Sequence, residues 1–237
     1  MSDQMKDLAD VQARDLEIDA LQEERSQTPA ELTEAENRLE QLRAEISARQ
    51  RELDGRQAEV RSAELELGTL EERRKAAANS SLTAETPKEA SQFQNQELQF
   101  ATRVQEVEED LLPLMEETEQ LSSEVAELEG QLAELEPLVS SLQQAEAERV
   151  EGIDERIQTI SQERTGMAGA IDRRLLQTYE QVRKARRGVG LAEVVGGNRC
   201  SGCNVHLPIH VVQKVRKEAG VVRCPSCGRI LHFSSSD

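Results

Sequence analysis

Residues 79–89 read Asn79-Ser80-Ser81-Leu82-Thr83-Ala84-Glu85-Thr86-Pro87-Lys88-Glu89. This short polar stretch separates two long heptad patterns. Thr86-Pro87-Lys88-Glu89 has the spacing of a capping box, in which the Thr hydroxyl accepts from the Glu89 amide and the Glu carboxylate reaches back. The stretch therefore reads as a turn near 79–86 between two helices.

Upstream of it a seam with alternating steps of three and four runs through Leu32, Ala35, Leu39, Leu42, Ile46, Arg49, Leu53, Arg56, Val60, Ala63, Leu67, Leu70, Arg74 and Ala77, and eleven of these fourteen are apolar. Downstream a second seam runs through Phe100, Val104, Val107, Leu111, Leu114, Thr118, Leu121, Val125, Leu128, Leu132, Leu135, Val139 and Leu142, where twelve of thirteen are apolar. A period of 3.5 held over this many turns marks a coiled-coil seam and not an ordinary surface helix. The three seam arginines can carry their guanidinium groups out to water. After a stutter near 142–150 the pattern resumes through Val150, Ile153, Ile157, Ile160, Met167 and Ile171.

Two seams joined by a short turn predict an antiparallel helical hairpin, with a parallel dimeric rod as the other arrangement. An initial helix over roughly 3–27 carries Leu8, Val11, Ile18 and Leu21 and stops at Thr28-Pro29, where Thr28-Pro29-Ala30-Glu31 is another capping box. A turn centred near Thr83 sets Pro29 level with Pro137 and Pro113 near Gly55, which predicts a kinked hairpin. Gly166-Met167-Ala168-Gly169 is a soft point, and a last helix through Tyr179 to Arg187 ends at Gly188 with a left-handed C-cap.

Composition agrees with long helices. Aromatic residues make up 2%, Trp is absent and charged residues reach 32%, which argues against one large globular core. The net charge of -17 is unevenly spread: residues 1–180 hold 19 Lys/Arg against 43 Asp/Glu, whereas residues 181–237 hold 10 against 3. The opening residues show no basic segment followed by an apolar one, and no apolar run approaches a membrane span. A cytoplasmic protein without membrane association is expected.

Beyond residue 188 the heptads vanish. Leu191–Val195 reads as a strand, 196–198 as a turn, Pro208–Lys217 as a short helix, Val221–Arg223 and Ile230–Phe233 as strands, and 234–237 as a frayed tail. Within this segment stand Cys200-Ser201-Gly202-Cys203 and, after twenty residues, Cys224-Pro225-Ser226-Cys227-Gly228. Two such pairs suit one tetrahedral zinc ion held by Cys200, Cys203, Cys224 and Cys227. Gly202 and Gly228 give the two turns their freedom. Disulfides or a redox pair are the competing readings, and a reducing compartment disfavours them. Four thiolates close the coordination shell, so the zinc is structural. With about 40–50 residues and almost no core, the ribbon depends on the metal for roughly 10 kcal/mol of folding free energy. His206, His210 and His232 read as surface or packing residues.

The expected class is therefore mainly α: a long kinked antiparallel coiled-coil hairpin over 1–187, followed by a small β-rich zinc ribbon over 188–237. The run Tyr179–Gly188, the first Cys pair with Leu207-Pro208, and Arg223–Leu231 closely resemble a bacterial family of coiled-coil proteins with a C-terminal four-cysteine zinc ribbon. Ile209, where that family often has a second proline, and His232, where it often has an aromatic residue, depart from the pattern without touching a ligand. The resemblance implies a kinked hairpin joined to a zinc ribbon, no enzymatic activity, and association with RNA and with protein partners, among them an alternative sigma factor and components of flagellar or type III secretion.

The residues themselves offer two functions. Arg183, Lys184, Arg186, Arg187, Arg199, Lys214, Arg216, Lys217, Arg223 and Arg229 form a basic end suited to phosphates of RNA or DNA. Between Arg103 and Arg149 there is no Lys or Arg, and this acidic shaft suits a basic protein partner. The alternative is a purely protein–protein adaptor or chaperone without nucleic acid. No P-loop, dinucleotide turn or nucleophile motif is present, so neither an enzyme nor a small-molecule substrate is expected.

Overall fold

The computed structural model describes residues 2–217 and 220–233; the expected frayed tail at 234–237 lies outside them. Along the described residues run α1 (Ser2–Ser26), α2 (Ala30–Leu82), α3 (Pro87–Ala168), α4 (Arg173–Ala185), β1 (Leu191–Val195), β2 (Arg199–Cys200), α5 (Ile209–Arg216) and β3 (Ile230–His232). The class is mainly α, an antiparallel helical hairpin followed by a small ribbon. The chain packs as two compact units: Ala30–Gln143, and Met1–Pro29 together with Gln144–Asp237.

In the unit Ala30–Gln143 the two seams meet. Leu53 packs on Leu121 and Val125, and Leu70 packs on Val104 and Val107. The chain thus folds back on itself, and the parallel rod does not form. Every position of both seams is buried or half-buried except Arg74, which is exposed. The other two seam arginines do more than reach water. Arg49 pairs with Glu52 on its own helix and Glu124 on the opposite one, and Arg56 pairs with Glu59 and Glu117 in the same way. Such exposed pairs are individually weak, but repeated across the seam they favour one register.

The turn is later and tighter than the sequence suggests. α2 stays helical through Leu82, and the Thr83 amide and hydroxyl bond back to the Asn79 carbonyl, both at 3.2 Å. Thr86 and Glu89 close the expected capping box at 3.2 and 3.3 Å. Cross-helix partners shift accordingly: Arg103 meets Glu66 and Arg43 meets Glu136, so Pro137 lies beside the Arg43 turn of α2. Pro113 and Pro137 both sit inside α3 on its exposed face. There the lost amide bond and the displaced carbonyl can be met by water.

In the other unit α1 packs against the C-terminal part of α3 through Leu21, Ile153 and Ile160. The break at 27–29 lies opposite Arg149, which donates to the carbonyls of Glu24 (3.1 Å) and Gln27 (2.8 Å). These carbonyls stand at the end of α1, where the regular helical bonding runs out; the Glu24 carbonyl also accepts from the Gln27 amide at 3.3 Å. Arg149 is itself held by Glu146. α3 ends at Ala168, within the expected soft point, and Asp172 caps α4 by accepting from the amides of Arg174 and Leu175. At the other end of α4 the left-handed residue is Arg187 (φ 53°), not Gly188 alone. The Gly188 amide bonds the Arg183 carbonyl at 3.1 Å, the six-to-one bond of a Schellman ending.

The ribbon has a three-stranded sheet in the order β2-β1-β3. β1 pairs antiparallel with β2 (Val194 opposite Cys200) and parallel with β3 (Leu191 opposite Ile230). The expected strand at Val221–Arg223 is reduced to a single bridge from Arg223 to Ile230. It lies just before the Cys224 turn, which bends the chain away before a ladder can extend. The ribbon also has more core than its length suggests. Ala192, Val194, Leu207, Val211, Val212, Val215 and Leu231 are buried together with three of the cysteines.

Candidate metal centre

The two cysteine pairs sit on turns with the same backbone plan. In the first, the Asn204 amide bonds the Cys200 carbonyl at 2.8 Å; in the second, the Gly228 amide bonds the Cys224 carbonyl at 2.8 Å. The residue after each second cysteine is left-handed, Asn204 at φ 57° and Gly228 at φ 75°. Asn tolerates that region better than most side chains and Gly enters it freely. Gly202, which the sequence suggests as the flexible residue of the first turn, serves a different purpose. A Cβ there would lie 2.5 Å from Cδ of Arg229, and the Gly202 carbonyl accepts from Arg229 Nη1 at 2.8 Å. Glycine is needed for close approach of a neighbour, and no unusual dihedral is involved.

These turns bring all four sulfurs within 4.8 Å of one another. Cys200 Sγ lies 3.9 Å from Cys227 Sγ, and Cys203 Sγ lies 3.8 Å from Cys224 Sγ. A tetrahedron with Zn–S bonds of about 2.3 Å has edges of about 3.8 Å, so the sulfurs already stand where zinc needs them. None forms a disulfide, and among the described residues no histidine joins the cluster. His206 Nδ1 instead lies 3.2 Å from Asn198 Oδ1, and His232 Nδ1 lies 3.2 Å from the Phe233 carbonyl.

The thiols differ in character. Burial pushes the Cys200 thiol up to about 12. Burial acts in the same direction on Cys227, but the amide and guanidinium of Arg229 outweigh it and bring that thiol to about 7. A buried set of four thiolates needs a cation to neutralise it. A zinc ion would supply that charge and expel the remaining protons.

The basic residues of the C-terminal segment fall into two groups. Three are engaged inside the unit. Arg183 reaches Asp19 at 2.6 Å and Asp15 at 3.5 Å, and Arg186 donates to the Cys227 carbonyl at 2.6 Å. Arg229 donates to the carbonyls of Val189, Gly202 and Arg186. The remaining seven, Lys184, Arg187, Arg199, Lys214, Arg216, Lys217 and Arg223, are exposed. α5 turns Val211, Val212 and Val215 inward, which leaves Lys214, Arg216 and Lys217 outside.

Sequence reasoning missed the polar centre beneath the ribbon. Asp15 is 4% exposed. It accepts from Tyr179 Oη at 2.7 Å and from Arg164 at 3.0 and 3.3 Å, and Arg164 is also paired with Glu180. Burial first, then the Asp15 carboxylate, drive the Tyr179 phenol well above its usual range, so it stays protonated and donates. Gln12 bonds the Gly190 and Leu191 amides and the Leu191 carbonyl, which ties α1 to the edge of β1. Around this centre Leu8, Val11, Leu175, Tyr179, Leu191 and Ile230 form one buried cluster. A signal was available: Asp15 stands four residues after Val11 and three before Ile18, a carboxylate on an apolar stripe.

The geometry has counterparts among known proteins. A model of the CT398-like coiled coil hairpin domain matches residues 11–187. The chain belongs to that family. A C4-type zinc ribbon domain matches residues 199–231, which together with the sulfur geometry assigns the four cysteines one structural zinc. Solved structures similar to this family member include CT398 from Chlamydia trachomatis, at 18% identity and TM-score 0.87 over 99% of both chains. A Mycobacterium smegmatis protein is similar at 24% identity and TM-score 0.83, again over 99% of both. The HP0958 protein from Helicobacter pylori follows at 21% and 0.57 over 98% of both. At these identities the likeness concerns the fold. No curated protein matches the chain. Neither matched domain is described as catalytic, and among the described residues no helix is long and apolar enough to cross a membrane.

Proposed function

We propose that this CT398-like protein is a non-enzymatic cytoplasmic adaptor whose zinc ribbon contacts the phosphates of RNA or DNA while the coil engages a protein partner. The observation that carries the first half is the division of labour on α5. Its valines fill the ribbon core, and Lys214, Arg216 and Lys217 are exposed, with Arg199 and Arg223 exposed on neighbouring segments of the ribbon. Arg183 is engaged by Asp15 and Asp19 of α1, and Arg186 and Arg229 hold the ribbon backbone, so these three are already committed to internal contacts.

The mode of contact is narrowed by the aromatics. Tyr179 is fully buried and bonded to Asp15, and Phe233 lies under the Arg216 guanidinium at 5.4 Å. Neither offers an open face for base stacking, so recognition rests on phosphate charge and has little sequence preference. The test is binding of single-stranded RNA and duplex DNA by the zinc-loaded chain across a salt series. Three to four phosphate contacts give a log–log slope of about -2 to -3 on single strands, and Lys214→Glu with Lys217→Glu abolishes binding at moderate salt. No affinity for either nucleic acid at low salt refutes this half and leaves a purely protein–protein adaptor or chaperone. That second reading is favoured by the shaft, where residues 104–148 carry 14 Asp/Glu and no Lys or Arg.

A further inference from the structure

The unit Ala30–Gln143 carries an open groove of about 750 Å³ between α2 and α3. α2 contributes Gln57 and Val60; α3 contributes a stripe that begins at Leu112, Met115, Glu116 and Glu119 and ends at Ala126. On α3 the lining recurs at steps of three and four, so it forms one face beside the buried seam. From residue 112 to residue 126 that face runs about 21 Å. Leu112 is 62% exposed and Met115 48% exposed, and the two lie one turn apart in the same groove.

The charged residues that line the groove, Glu116 and Glu119, are both acidic. Among the described residues the carboxylates of Glu116 and Glu119 have no ion-pair or hydrogen-bond partner. Of the arginines flanking the α2 lining, Arg56 is already engaged by Glu59 and Glu117, and Arg61 is exposed. The whole unit holds 11 Lys/Arg against 27 Asp/Glu. A second copy of this shaft would therefore be repelled, whereas an apolar strip flanked by cations would be drawn in.

We propose that this groove is the docking site for an amphipathic helix of about four turns, with an apolar stripe seated on Val60, Leu112 and Met115 and with lysines or arginines facing Glu116 and Glu119. This deepens, and rests on, the reading of the coil as a protein-binding element. The added helix would lie in the groove of a two-helix hairpin, a recognised mode of helix capture. Met115 suits such a seat because its flexible thioether adapts to different apolar partners.

The test uses the full zinc-loaded chain and a fluorescent synthetic peptide of about 15 residues, helical, with leucines at helical spacing and lysines elsewhere. Two twins accompany it, one with glutamates for lysines and one with serines for leucines. The lysine–leucine peptide is expected to bind and both twins to fail. Leu112→Ser with Met115→Ser should weaken binding about tenfold or more. Glu116→Gln with Glu119→Gln should weaken it and flatten its salt dependence. These residues are exposed, and unchanged helical circular dichroism verifies that each variant folds. Photo-cross-links from the peptide should fall within residues 112–126 or on Val60. Equal binding of the serine twin, or no effect of the paired substitutions, overturns the groove. Cross-links elsewhere on the coil overturn the groove while sparing a protein partner for the coil, and absence of binding at low salt overturns both. A dimer dissolved by Met115→Lys would identify a second copy as the occupant and also overturn the proposal.

Discussion

Asp15 shows how much one side chain can organise. Its carboxylate is nearly inaccessible to water, yet it accepts from Tyr179 and Arg164 and lies 3.5 Å from Arg183. Removing one partner of a buried charge network leaves the others uncompensated, typically at about 3–5 kcal/mol. Asp15→Ala is therefore expected to lower the unfolding free energy of its unit by that order in a denaturant titration. Tyr179→Phe removes one neutral donor, leaves the arginines in place and should cost only about 1–2 kcal/mol. Equal losses in the two variants would contradict the network described. At the metal site the residue scale gives a pH dependence. Cys200, held at about 12 by burial, and Cys227, at about 7, must both give up protons to the metal below neutrality. Zinc affinity should fall as pH falls, about tenfold per unit for each proton displaced, measurable by competition with a chromophoric chelator from pH 8 to 6. An affinity independent of pH would exclude thiolate ligation.

Among the elements, the helices were the most legible from sequence and the ribbon's short strands the least. Heptad periodicity located both seams because burial in a two-helix hairpin depends on spacing along one element. It could not fix the register. That depended on α2 remaining helical through Leu82 and on cross-strand pairs such as Arg56–Glu117, which are tertiary facts. The supposed strand at Val221–Arg223 failed for a similar reason. Valine and arginine there suit a strand locally, but the following cysteine turn leaves only one bridge. The four ligands were legible because their spacing is itself the chemistry. The role of Gly202 was not, since it is set by Arg229, 27 residues away. Two substitutions test the helical elements. Gly130 lies within α3 with open space where a Cβ would stand, so Gly130→Ala should stabilise by about 0.5–1 kcal/mol. Leu53 is buried against Leu121 and Val125, so Leu53→Ala should destabilise by about 2–5 kcal/mol. Thermal melts followed by circular dichroism separate the two directions.

For the molecule as a whole, the zinc centre is tied to the helices that support it. Arg186 of the α4 C-terminus holds the Cys227 carbonyl, Arg229 holds Gly202 and Val189, and Leu191 and Ile230 fill a cluster with Leu8, Val11 and Tyr179. The metal therefore stabilises more than a detached ribbon, although the ribbon's own buried valines supply some cohesion without it. The seams of Ala30–Gln143 involve none of these residues. Hydrogen exchange read by mass spectrometry, with zinc bound and after its verified removal by a chelator, tests this most directly. Protection is expected to collapse across residues 191–232 and to weaken around Gln12 and Asp15, while residues 30–143 keep theirs. Unchanged protection across the ribbon after zinc removal would contradict the claim that the four cysteines and their metal hold it together.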